Sequence, residues 1–343
     1  MSDDEQIQEH PDNLAPADTL DVSASPPPQA LQSVPSVLTA AAKPRGVAPL
    51  WHTLVLVFGI LAFSIWGAVR PDTGSINPLA PVSRAHATVQ DGPDPVRVIR
   101  YALTGTLELV IVGWVALGLH LRKVPFRSLF GAWPNGLNNT TVEIGIAALF
   151  WICSMLVLAA FALVWVTVET QVYKSHTSHQ SNTPSHSSSS PSPHSKPQAP
   201  TTPHKSESKS PEQKQVEMAK ELMELAPASG FEIAAWGLLC LIVGFSEELI
   251  FRGYLQSQNI ALLRNVPVSV LLTAVIFGAA HGYQGLRGIF LISIYGALFG
   301  CITLLRRNLF PGMLAHSWHD FATGMALSLI RSTHLLDHLP LPK

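Results

Sequence analysis

The sequence predicts an all-α, polytopic transmembrane helix bundle of about seven spans, and two observations carry that reading. Of 343 residues, 47% are hydrophobic and only 13% are charged, whereas an ordinary soluble domain is about a quarter charged. The apolar residues are also gathered into runs, several of them long enough to cross ~30 Å of hydrocarbon. The polar residues collect in two low-complexity tracts that read as a disordered N-terminal tail and one disordered loop.

Residues 1–46 are rich in Pro, Ala, Ser and acidic residues and are expected to be disordered. No short basic stretch leads into an apolar core there, so no cleavable signal peptide is expected. The first run, 47–69, contains no Asp, Glu, Lys or Arg and is expected to act as an uncleaved anchor. The second run, 101–121, encloses Glu108, and the third, 142–168, is free of charge after Glu143. Residues 175–210 are dominated by Ser, Pro, Thr, His and Lys. They offer too little apolar surface to offset the entropy of ordering. Met218, Leu222 and Leu225 then recur at helical spacing over 216–225, the pattern of a short interfacial helix.

Four spans follow at 231–256, 267–281, 288–305 and 309–330. The run at 267–281 is short and ends on His281-Gly282, which suits a helix that stops inside the protein. The resulting segments are a disordered tail (1–46), N-terminal transmembrane helices (47–173), a disordered loop (174–215) and a helical core (216–335). A net charge of −1 gives no reason to expect nucleic acid as a partner. Cys153, Cys240 and Cys301 lie in apolar runs without metal-ligand spacing and are expected to be small buried residues. Arg122, Lys123, Arg127, Arg252, Arg264, Arg306 and Arg307 favour a cytoplasmic N-terminus, although Arg70, Arg84, Arg97 and Arg100 then lie outside.

Polar side chains inside these spans need partners of their own, and three clusters stand out. The first is Glu247-Glu248 with Arg252. On a helix Glu248 and Arg252 are i and i+4 with the acid N-terminal, the favoured order for an ion pair. Glu247, turned about 100° away, is left free for chemistry. The second cluster is Phe277 with His281, and the third is His316 with His319 and Asp320, five to nine residues after Pro311. Glu108 is open to three readings: a helix-packing contact, a supporting partner of the site, or polar glue that avoids lipid. A carboxylate with imidazoles supplies a base, a proton carrier and stabilisers for an oxyanion, a set that suits hydrolysis.

Taken in order, Glu247-Glu248-x-x-x-Arg252, Phe277-x-x-x-His281 and His316-x-x-x-Asp320 resemble the three motifs of the CPBP family of intramembrane proteases. That family comprises the CAAX-processing endopeptidases and the bacteriocin-processing (Abi) proteins. The resemblance covers roughly 234–330. It implies an intramembrane endopeptidase acting on membrane-associated or C-terminally processed (CAAX-type) proteins, with Glu247 and His281 activating water. His316 and the residue at 320 would stabilise the oxyanion, and Glu248, Arg252 and Phe277 would support the site. The family takes Asn or Asp at the last motif position. An ionised Asp320 cannot donate a hydrogen bond, so it more naturally orients His316 or His319 unless it is protonated.

Two mechanisms stay open at this point. A glutamate-activated water needs no cofactor, whereas a zinc-type metalloprotease would draw on Glu247, His281 and His316. Two other functions compete with proteolysis: an inactive membrane scaffold or immunity protein of the same fold, and a metal-ion transporter. The transporter reading draws on the loop residues His176, His179, His186, His194 and His204. The expected partners are a protein or peptide substrate and the lipid bilayer. The expected location is multi-pass, in a bacterial plasma membrane.

Overall fold

The computed structural model describes residues 46–69, 93–181 and 223–333, which are helical throughout apart from connecting turns and one isolated bridge between Gly131 and Asn308. The helices are α1 (Leu50–Val69), α2 (Pro95–Leu121), α3 (Gly136–Ser181), α4 (Gly230–Glu247), a π-helix (Glu248–Leu255), α5 (Gln256–Leu263), α6 (Val266–Ala280), α7 (Gly285–Arg306) and α8 (Phe310–Ser332). The α4, π and α5 segments join into one rod, Gly230–Leu263.

Each of the seven apolar runs is helical. Five helical segments are long and apolar enough to cross a membrane: Leu50–Gly67, Pro95–Leu121, Gly136–Ser175, Gly230–Leu263 and Gly282–Arg306. The other two are α6, with 15 residues, and α8, which carries the polar His316, His319 and Asp320. The count of about seven spans thus becomes five helices of crossing length and two shorter or more polar ones, both bearing candidate site residues.

Two expectations are corrected. The loop expected to be disordered from residue 174 begins as helix, because α3 continues to Ser181. The chain has no Gly or Pro between Gly145 and Pro184, and helix propagation past an established nucleus adds one bond for each residue fixed. Among the cysteines, Cys240 is buried, whereas Cys153 and Cys301 are exposed on the bundle surface. An apolar run fixes burial against lipid or protein together, without telling the two apart. The tail up to residue 45, the rest of the 174–215 loop with its histidines from His186 on, and all but Met223–Leu225 of the 216–225 helix lie outside the described residues.

Local signals explain the helix ends. Asp94 caps α2 by accepting from the Val96 N–H at 3.0 Å, ahead of Pro95 at the first helical position. Ser229 caps α4 and Asn265 caps α6 in the same way. Three helices end on basic residues in the left-handed conformation: Lys123 after α2, Arg264 after α5 and Arg307 after α7 (φ 58°, 54° and 56°). A cation there also complements the negative helix terminus.

The π-helix lies at the centre of the packing, and all eight of its residues are buried. Leu249, Ile250, Phe251, Tyr254 and Leu255 pack with Val115 and Leu119 of α2, Phe277 of α6, Phe299 of α7 and Met313 of α8. At Gly244 of α4, a Cβ would stand 2.8 Å from the Ser317 backbone nitrogen, so the α4–α8 approach requires glycine. On α1, His52 Nε2 is 2.9 Å from the Trp114 carbonyl and must donate there, leaving Nδ1 to accept from the Tyr254 hydroxyl at 3.0 Å.

Polar knots close the two ends of the bundle. At one end Glu143 takes Arg306 at 2.6 Å and Asn308 at 3.4 Å, and Asn308 in turn accepts from the Phe310 N–H at 3.0 Å. At the other end the buried Glu232 accepts from the Asp94 N–H (2.6 Å), the Ala228 N–H (2.5 Å) and Arg97 (2.6 Å). Arg331 closes the same knot by donating to the carbonyls of Met223, Ala226 and Pro227. Glu232→Ala would strand these donors and should cost about 3–5 kcal/mol, read as a lowered unfolding temperature in detergent micelles. Glu232→Gln should recover part of the loss.

Candidate active site

Glu247 is the last residue of α4 and Glu248 the first of the π-helix, so the paired carboxylates straddle a change of helix type. π-Turns are rare and widen the helix locally. His281 caps the C-terminus of α6, one residue beyond its last helical position. His316 and Asp320 lie on α8. His316 is six residues from Phe310, the start of α8, which places it about 9 Å inside that end of the bundle at 1.5 Å per residue.

The lower tier of the site is sealed. Glu248 is fully buried and pairs through Oε1 with Arg252 at 3.0 Å. The same oxygen takes His316 Nδ1 at 2.9 Å, and because a carboxylate only accepts, the imidazole donates. Arg252 also donates to the Gly296 carbonyl at 3.3 Å. Its guanidinium lies 4.2 Å from the centre of the Phe277 ring and 5.3 Å from that of Phe299. One ion pair therefore touches α6, α7 and α8.

The upper tier is open. Side-chain exposure is 13% for Glu247, 19% for His281 and 27% for Asp320, against 0% for Glu248 and 5% for His316. Glu247 Oε2 stands 3.4 Å from His316 Nε2, and Oε1 stands 3.9 Å from His281 Nε2. Asp320 Oδ2 is 3.8 Å from His316 Nε2. His281 Nδ1 is 2.9 Å from the Phe277 carbonyl, so Nδ1 carries a proton and donates there, and Nε2 is the nitrogen turned towards Glu247. A carboxylate between two imidazole nitrogens, reachable from open space, is equipped to take and return a proton.

Glu247, His281, His316 and Asp320 thus form one constellation, with Glu248, Arg252 and Phe277 beneath it. His319 turns away and packs its ring on Tyr295 at 4.9 Å. Glu108 reaches the neighbourhood from α2. Tyr101 packs on Trp236 at 5.3 Å and Gly105 faces Leu239 and Ile242, so α2 runs parallel to α4. One turn further on, Glu108 has one buried carboxylate oxygen without a hydrogen-bond partner among the described residues, within electrostatic range of Glu247, His316 and Asp320.

Sequence reasoning passed over Tyr295, Phe299 and Ser64. The buried Tyr295 hydroxyl has no hydrogen-bond partner among the described residues, and its ring packs on His316 at 5.7 Å. Phe299 packs on His316 at 5.5 Å. Ser64 shares its apolar run with Thr53, and Tyr295 shares its run with Ser293 and Thr303, so neither hydroxyl stands out in the sequence.

Among the described residues, no group of three or more His, Cys, Asp or Glu side chains is gathered to hold a metal ion. A cleft of about 670 Å³ lined by Arg127, Phe130, Gly131, Trp133 and Phe245 lies apart from the constellation. Phe245 is two residues before Glu247 and so about 200° around the helix.

Arg252→Ala leaves a buried carboxylate with one fewer partner and should destabilise the fold by about 3–5 kcal/mol. The pair substitution Glu248→Gln with Arg252→Met should cost less than Arg252→Ala alone, as measured by thermal unfolding.

Residues 229–322 match the family model described as Rce1-like, type II CAAX prenyl endopeptidase. Neither the curated proteins nor the solved structures give a match. The matched segment runs from the Ser229 cap to just beyond Asp320 and contains the whole constellation, while α1, α2 and α3 lie outside it. Over residues 229–322, just over a quarter of its length, this chain is thus similar to the Rce1-like, type II CAAX prenyl endopeptidase family.

Proposed function

We propose that the protein is an intramembrane endopeptidase in which Glu247 activates the attacking water. The observation that carries this reading is the open placement of Glu247 between His281 Nε2 and His316 Nε2, at 3.9 and 3.4 Å. Water bound to Glu247 gives up a proton to the carboxylate as its oxygen attacks the scissile carbonyl. The lone pair on His281 Nε2 accepts the second water hydrogen and aims the nucleophile. As N–H, His316 Nε2 donates to the developing oxyanion while Nδ1–H stays committed to Glu248. When the tetrahedral intermediate collapses, Glu247 returns its proton to the leaving amine and the C–N bond breaks.

Asp320, 3.8 Å from His316 Nε2, acts on the ring rather than on the oxyanion, because an ionised carboxylate has no proton to donate. Glu248 and Arg252 hold His316 from below. No step in this scheme requires a metal. The substrates we propose are membrane-associated proteins, or proteins processed near their C-terminus in the CAAX manner.

The test is cleavage of a membrane-anchored reporter peptide by purified protein in liposomes. Glu247→Gln and His281→Ala should each lower kcat by about 10²–10⁴-fold with the unfolding temperature unchanged, and a chelator should leave the wild-type rate unaltered. Full cleavage by Glu247→Gln would overturn the assignment of the base. Wild-type protein that is folded yet cleaves nothing would favour a scaffold role.

A further inference from the structure

Helix α1 lies outside the family match, yet it reaches the backbone of His281. Ser64 is 3% exposed. Its hydroxyl donates to the Ala279 carbonyl at 2.7 Å and accepts from the Gly282 N–H at 2.8 Å. One oxygen therefore holds the chain on both sides of His281. The Ala279 carbonyl is among those left without an internal partner at a helix C-terminus, and the Gly282 N–H is among those left open at the start of the 3-10 turn Gly282–Gln284. Inside a bilayer such groups must be satisfied by protein or by water in a cavity.

Gly282 fits the same device. A Cβ at that position would lie 2.7 Å from Ser64 Oγ but 4.0 Å from Ser64 Cβ. Glycine is thus required by the hydroxyl and by little else on the serine. Near the turn, His281 N–H bonds the Gly278 carbonyl at 3.0 Å and the Gln284 N–H bonds the His281 carbonyl at 2.9 Å. The turn is tied internally by these bonds, and Ser64 ties it to a different helix.

We propose that Ser64 is a positioning residue for His281: its hydroxyl, carried by α1, fixes where His281 Nε2 stands relative to Glu247. The inference rests on the reading of His281 as a partner in water activation. A bare structural cap would stabilise the turn without governing the chemistry, and the two roles separate experimentally.

The experiment compares Ser64→Ala, Ser64→Thr and Gly282→Ala in the full-length protein, alone and combined. Ser64→Ala should lower kcat by about 10²-fold, the effect of misplacing a reacting group by about 1 Å, with KM unchanged and the rate largely restored in Ser64→Thr. Gly282→Ala should show the same loss, and Ser64→Ala with Gly282→Ala should lose no more than either alone. In a His281→Ala background, Ser64→Ala should change the residual rate no further. Independently of any peptidase assay, amide exchange at Gly282 should rise at least about tenfold in Ser64→Ala, as expected for a lost hydrogen bond worth a factor of ten, and remain low in Ser64→Thr. A further loss in the His281→Ala background, or a lowered unfolding temperature with unchanged kcat, would overturn the proposal. Cleavage surviving Glu247→Gln would instead remove the peptidase mechanism and leave the exchange result standing.

Discussion

The Glu248–Arg252 pair is the interaction on which the arrangement of the site depends. Two ions removed from water cost several kcal/mol each, and their mutual attraction repays this only if the remaining hydrogen-bonding capacity is also used. Here it is used in part, by groups on three other helices: His316 Nδ1, the Gly296 carbonyl and the faces of Phe277 and Phe299; the buried Glu248 Oε2 has no hydrogen-bond partner among the described residues. Breaking away any one of these helices would expose part of the pair to hydrocarbon. The pair thereby acts as a common fastener for α6, α7 and α8, and Glu247, one residue earlier in the chain, inherits a fixed position.

The π-helix makes this geometry possible. Its buried residues place Arg252 beneath the site while Glu247 emerges at the top of α4. The knots around Glu232 and Glu143 hold the bundle at its two ends. Between them α6 stops short, so that His281 and its turn meet Glu247 inside the bundle rather than at the surface. The chemistry occupies the interval that a full-length helix would have filled.

Much of this was legible in the sequence, for reasons that can be stated. Runs without charge announce helices, and the i,i+4 spacing of Glu248 and Arg252 announces their pair. The ordered motifs place His281 and His316 with Glu247. Contacts between distant segments leave no such trace. Nothing local distinguishes Ser64 from other membrane serines, or shows that His316 spends Nδ1 on Glu248. The π-turn was invisible too, because Glu248–Leu255 reads as ordinary helix, with Gly253 its one weak helix former. At α3, composition misled: polar residues suggested an end where no Gly or Pro interrupts the helix.

His316 is held to one orientation of its protons. Its Nδ1–H is committed to the buried Glu248, so only Nε2 faces the partly exposed carboxylates of Glu247 and Asp320. A proton reaching or leaving the ring has a single doorway, opposite Glu248. The tautomer is then set by the packing beneath the ring rather than by whatever arrives above it.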